Sequence, residues 1–174
     1  MFMLEIITLL AALAGAALLV ALALYDVRTH ILPNELVLGL TAAGLVFHLS
    51  TFWAYIPPSN MLLGTAIGGG SLFLIYLAGE YVLRRETMGL GDVKLMAACG
   101  IWLGVEGTLL GLTLGSALAA LSGLLPVMRH VSVEQEELHK AEKDMVPAGP
   151  GLAIGCLLTG IWQFWLQDTI PLPF

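Results

Sequence analysis

Apolar runs alternate with short polar links along the whole chain. Stretches free of Asp, Glu, Lys and Arg cover residues 6–25, 36–56, 61–79, 95–105, 107–128 and 148–167. Five of them hold 19 to 22 residues, close to the ~20 residues of helix that cross a hydrocarbon core of ~30 Å. The pattern predicts an all-α, polytopic membrane protein with six transmembrane helices in a single domain over residues 1–174. The fourth run is the exception, since its 11 residues rise only ~16 Å. Asp92 and Lys94 precede it and Glu106 follows it. To span, that helix draws a charged end to the membrane boundary, where charge is costly and therefore a functional candidate. The first run has no basic segment before it and ends in Tyr25-Asp26-Val27-Arg28 instead of a small-residue cleavage site, so it is expected to stay as a helix.

Charge gives the arrangement a direction. With six alternating helices, the links 26–35, 84–94 and 129–147 share one side. They hold every Lys and Arg in the chain, namely Arg28, Arg84, Arg85, Lys94, Arg129, Lys140 and Lys143. The positive-inside rule makes that side cytoplasmic and puts both termini outside. Composition agrees with a lipid setting: 58% of residues are hydrophobic, 11% are charged and mean hydropathy is +0.90, against ~25% charged in soluble domains. Seven Lys and Arg against 13 Asp and Glu leave no basic face for nucleic acid. Cys99 and Cys156 sit in apolar runs without a Cys-x-x-Cys pair, which excludes a disulfide framework and a thiolate zinc site. The glycines Gly68, Gly69, Gly70, Gly111 and Gly115 suit close helix packing in lipid.

Two acids share one depth. Asp26 closes the first helix and Asp92 opens the fourth, both on the cytoplasmic side. Alone, Asp26 reads as a boundary residue beside Arg28, and Asp92 as a helix N-cap. The segment Gly89-Leu90-Gly91-Asp92 adds a further sense, because glycines let another backbone come close. A carboxylate held beside extendable backbone suits peptide hydrolysis: a substrate pairs as a strand while the acid reaches its carbonyl. Two other classes use the same acids. Asp26, Glu80 and Asp92 would serve a transporter as a proton or cation relay, although transport sites favour the bilayer midplane. A non-catalytic assembly scaffold would also carry boundary acids.

The block Gly89-Leu90-Gly91-Asp92-Val93-Lys94-Leu95-Met96-Ala97-Ala98, with Trp102-Leu103-Gly104 after it, resembles the signature of the type IV prepilin peptidases, a family of Gly-x-Gly-Asp intramembrane aspartic peptidases. Tyr25-Asp26-Val27-Arg28-Thr29 with Ile31-Leu32-Pro33-Asn34 is similar to that family's segment around its first catalytic Asp. Pro147-Ala148-Gly149-Pro150-Gly151 is similar to its Pro-x-Gly-Pro element. The resemblance implies a catalytic pair of Asp26 and Asp92, a site shaped by Gly89, Gly91, Lys94, Pro147 and Pro150, and no metal or organic cofactor. It implies prepilin or pseudopilin substrates whose basic leader is cut at the cytoplasmic face of a prokaryotic inner membrane. Only eight residues separate Asp26 from Glu35 and no paired Cys-x-x-Cys motifs occur, so a short form without an N-methyltransferase domain is expected.

Two carboxylates sharing a water do not both ionise cheaply. One takes a proton from the water while its protonated partner donates to the carbonyl or leaving amine. Helix ends favour charge on Asp92, at an N-terminus, over Asp26, at a C-terminus, which makes Asp92 the expected base. Lys94 reads as a boundary lysine that fixes helix depth. Asn34 is expected to cap the second helix after Pro33, with Glu35 in its first turn. His48 reads as a buried, hydrogen-bonded histidine, Glu80 as a partner of Arg84, and 129–144 as a solvated helical connector. Trp53, Tyr55, Trp162, Trp165, Tyr25 and Tyr81 fit interfacial belts.

Overall fold

The computed structural model describes residues 2–29, 31–83, 89–124 and 148–166, and every regular element among them is helical. Helix α1 runs over Phe2–Thr29, α2 over Asn34–Ser50, α3 over Pro58–Ala78, α4 over Leu90–Leu124 and α5 over Gly149–Ile161. Short π-helical turns, Gly79–Leu83 and Trp162–Leu166, extend α3 and α5. Helices satisfy their own backbone groups, which a hydrocarbon environment requires. The segments Phe2–Thr29, Pro58–Tyr81 and Leu90–Leu121 are long and apolar enough to cross a membrane, while α2 and α5 are shorter apolar helices.

Local chemistry sets the helix ends. Pro33 and Pro57, both with extended backbone, precede α2 and α3. Proline's fixed φ pre-sets a helix start, and its missing N–H costs nothing there. Phe52 and Trp53 have φ of 52° and 61°, an uncommon conformation for residues with side chains. Together they turn the chain from α2 towards α3, and the Trp53 amide donates to the His48 carbonyl at 2.9 Å.

The fourth and fifth apolar runs meet inside α4, which breaks at Gly104 (φ 64°, ψ −165°). A methyl built on Gly68 of α3 would lie 2.7 Å from Thr108 Cγ2 and 2.8 Å from the Met96 carbonyl oxygen. In an unbroken helix those two residues would be ~18 Å apart. Both halves of α4 therefore lie side by side against α3, and the chain reverses at Gly104. The amide of Val105, freed by the break, donates to Asn60 Oδ1 at 3.0 Å. The first half of α4 then runs parallel to α5 and the second half antiparallel to it.

Burial follows helix faces. Leu22 of α1, Leu40 of α2, Leu95, Met96 and Cys99 of α4, and Leu152 and Cys156 of α5 form the packed centre. Leu9, Leu10, Leu13 and Leu24 of α1 are exposed, and only 17% of that helix's most apolar window is buried. An apolar exterior is what a lipid-facing surface requires. Lipid tails are as apolar as Leu, so close contact and hydrogen bonding must hold the helices together. Trp102 supplies both: its Nε1 donates to the Leu40 carbonyl at 2.8 Å. A methyl on Gly44 would come within 2.7 Å of that nitrogen, and one on Gly15 would overlap the ring.

Gly104→Ala is expected to destabilise the protein by about 1–3 kcal/mol, since its backbone region is essentially restricted to glycine. Gly70→Ala, where an added methyl meets nothing within 4 Å, is expected to be neutral. Unfolding midpoints of the purified variants in detergent check the contrast; equal midpoints would mean that no reversal exists at Gly104.

Candidate active site

Asp26 lies in the last turn of α1, one turn beyond the fully buried Leu22 and on the same face, because residues four apart stack along a helix. Its side chain therefore continues the stripe that faces the bundle. Asp92 is the third residue of α4, and Leu95, Met96 and Cys99 follow it at helical spacing on the buried face. Asp26 is 6% exposed and Asp92 7%. Charged residues are rarely buried to that degree without a structural or chemical role.

The first turn of α5 brings them together. A methyl built on Gly149 would overlap the Asp26 carboxylate, with Cγ at 2.7 Å, and would lie 3.2 Å from Asp92 Oδ1. Two side chains 66 positions apart thus face one point. The two distances together hold the carboxyl groups within about 6 Å of each other, the range over which like charges bear on each other's ionisation. The absence of a side chain at Gly149 keeps the space between them open. The amide end of α5, the positive pole of its dipole, sits at the same point. Such an arrangement can hold one water between an acid and a base.

The remaining residues take more varied positions. Gly91 admits Leu32, whose Cδ1 would be 2.9 Å from a methyl there, so the link after α1 closes over the head of α4. Gly89 is exposed, and a methyl on it would meet only the Gly91 amide at 3.9 Å. Its carbonyl accepts from the Asp92 amide at 3.1 Å. Asp92 is within the first turn, so it does not act as the N-cap. Lys94 Nζ donates to Asn34 Oδ1 at 3.0 Å, which ties α4 to the head of α2. This corrects the expected capping by Asn34: Pro33 occupies the cap position, no side chain caps the helix, and the Asn34 oxygen is taken by Lys94. Pro150 stands in the first turn of α5, where its ring fits a helix start.

Pro147, Arg84 and residues 129–147 lie outside the described residues, and with them the expected Glu80–Arg84 pair and the connector. Glu80 is exposed on the π turn after α3. His48 is fully buried, with Nε2 3.3 Å from the Trp102 carbonyl and its ring stacked on Trp53 at 6.2 Å. Tyr25, Tyr55, Tyr81 and Trp162 are exposed near helix ends. Among the described residues, no three His, Cys, Asp or Glu side chains gather into a metal site. Sequence reasoning missed Gly149, although it stands between the two prolines of a quoted element. It also missed Trp102 as the wedge beneath α1 and α2.

The sequence matches the model of the type IV leader peptidase family over residues 13–124. It is similar to a prepilin leader peptidase/N-methyltransferase of Pectobacterium carotovorum subsp. carotovorum, 36% identical over 167 residues, covering 87% of this chain and 56% of that protein. A protein of the same name from Aeromonas salmonicida (strain A449) is 35% identical over 166 residues, 92% of this chain and 53% of the relative. One from Xanthomonas campestris pv. campestris is 32% identical over 157 residues, 90% and 51% respectively. The chain spans about half the length of these curated relatives. No solved structure matches it. On the family match and on identity spread over most of its length, the chain belongs to the type IV leader peptidase family.

Proposed function

We propose that this chain is an intramembrane aspartic endopeptidase that cuts the short basic leader from type IV prepilins or pseudopilins, with Asp26 and Asp92 as its catalytic pair. The observation that carries the proposal is the meeting of both carboxylates at Gly149. Family membership supports the substrate class. No metal or organic cofactor enters the reaction.

The chemistry follows from the pair. A water held between the carboxyl groups loses a proton to the ionised member as its oxygen attacks the scissile carbonyl. The protonated member donates to the carbonyl oxygen; as the C–N bond breaks, the proton gained by the base passes to the leaving amine and a hydroxyl proton of the tetrahedral intermediate returns to the first donor, which restores the pair. The two carboxyls hold one proton between them and titrate as a coupled pair, so the roles of acid and base belong to the pair. Burial of both keeps bulk water away, so each charge acts with little screening.

The site lies at one end of the bundle, and we place that end at the cytoplasmic face of the inner membrane. The reversal at Gly104 turns α4 into two crossings, which gives six with α1, α2, α3 and α5. Arg28 and Lys94, the Arg and Lys among the described residues, then fall on the side of the carboxylates. Gly89 and Leu90, exposed beside Asp92, offer backbone to an extended substrate.

Asp26→Asn and Asp92→Asn are each expected to lower leader removal at least a hundredfold at unchanged protein level, read as loss of the gel shift of a co-expressed prepilin. Full processing by either variant would overturn the assignment. Gly149→Ala is expected to cost at least tenfold, because the methyl occupies the space of the shared water, while Gly70→Ala stays at the parent rate. For the topology, alkaline phosphatase fused after residue 56 should be active and a fusion after residue 32 inactive; the reverse would invert the orientation.

A further inference from the structure

Helices α1 and α5 meet at Asp26 and Gly149 and part towards the other end of the bundle. A crevice of about 720 Å³ opens between them there, with α2 beside α1 and the first half of α4 as its floor. Its walls are apolar, with Leu9, Ala12 and Ala16 on one side, Leu157 and Ile161 on the other and Trp102 beneath. The deepest lining residues are Leu19, Cys99 and Cys156. One turn nearer the carboxylates on the same three helices stand Leu22, Leu95 and Leu152, all in the packed centre. The crevice therefore ends short of the acids.

Polar side chains gather at the far mouth, where Glu5, Thr8, Ser50, Thr51 and Tyr55 line it. Glu5 stands 21 residues before Asp26, about 32 Å of helix. Thr8 Oγ1 and Ser50 Oγ lie 2.8 Å apart, and each also reaches a main-chain carbonyl at 2.8 Å, that of Leu4 and of Phe47 respectively. Thr51 Oγ1 donates to the Phe47 carbonyl at 3.0 Å. These three protons are engaged within the protein, so what the oxygens offer a ligand is lone pairs. With the Glu5 carboxylate they make an acceptor-rich mouth above an apolar slot.

We propose that the crevice binds one acyl chain of a phospholipid whose headgroup ends in a primary ammonium, with that ammonium at Glu5 and the neighbouring hydroxyl oxygens. An ammonium has three donors and no acceptor, the complement of this mouth. A choline headgroup lacks the N–H donors, and a glycerol headgroup lacks the positive charge. Size selects the rest of the ligand. The slot runs ~21 Å from Glu5 to Leu19, enough for a chain that crosses its half of a ~30 Å hydrocarbon core. A methylene takes about the volume of a liquid water, ~30 Å³, so one chain of ~16 carbons fills ~480 Å³ and two would overfill the space. A helix of the same length and ~10 Å diameter would displace ~1600 Å³, which excludes the transmembrane helix of a substrate or of a second copy. The site is separate from the proposed hydrolysis, and its test reads no cleavage.

The test is native mass spectrometry of the full chain, stripped of lipid in detergent and titrated with phosphatidylethanolamine, phosphatidylcholine or phosphatidylglycerol of identical acyl chains. One phosphatidylethanolamine per chain is expected to stay bound at energies that remove the detergent, retained about threefold better than either other lipid. Ala16→Phe, which fills the slot, should cut that retention roughly tenfold. Glu5→Lys, at an exposed position, should turn the preference towards phosphatidylglycerol. Equal retention of the three headgroups overturns the proposal, as does the lack of a single saturable adduct. A preference that Glu5→Lys leaves unchanged, or binding that Ala16→Phe leaves undiminished, does the same. A dimer in place of the lipid adduct would assign the crevice to a second copy and overturn it too. The headgroup comparison on the parent protein decides even where Ala16→Phe folds poorly.

Discussion

The first turn of α5 has to pass against two buried carboxylates, and it does so only because Gly149 carries no side chain. That close approach fixes where α1, α4 and α5 stand relative to one another at the end of the bundle. A Cβ at this position would overlap Asp26 and press on Asp92, so helix packing and acid placement are a single constraint. The same absence of atoms leaves room for a water between the acids. A packing feature that looks structural thus sets the geometry on which the proposed hydrolysis rests.

Elsewhere in the bundle the physics of lipid governs. With no hydrophobic gain from bringing apolar helices together in a hydrocarbon solvent, cohesion comes from short contacts and interhelical hydrogen bonds. Trp102 under Gly15 and Gly44, Asn60 on the Val105 amide and Lys94 on Asn34 are of that kind. The reversal at Gly104 frees a backbone amide where water is scarce, and Asn60 supplies the missing acceptor. The result is a rigid frame of three helix ends around the carboxylates, held from both sides by contacts that glycine permits.

Much of this was legible in the amino-acid sequence, for identifiable reasons. Charge-free runs of membrane length point to helices whatever their neighbours do, and Asp26 and Asp92 stand out because they flank such runs on one side of the chain's alternation. Pattern does not show how chain segments cross. Glu106 divides the runs 95–105 and 107–128 and so places a link close to the observed reversal, but nothing local singles out Gly104, since no proline or cluster of turn residues marks it and a positive φ is a property of the fold. Asn34 looks like a cap by type, yet Lys94, sixty positions away, takes its side chain. Gly149 is inconspicuous among 20 glycines until the carboxylates are placed around it.

The most direct measurement is of proximity between the two acids in a membrane. In a background where Cys99 and Cys156 are Ser, cysteines replace Asp26 and Asp92, and a short bifunctional thiol reagent is applied to intact membranes. A matched pair at Thr8 and Ser50, whose hydroxyl oxygens are 2.8 Å apart, serves as the reference. The account predicts that the 26–92 pair links within the chain as readily as the reference pair. Linking at 8–50 with none at 26–92 would contradict it, for the carboxylates would then not face a common point.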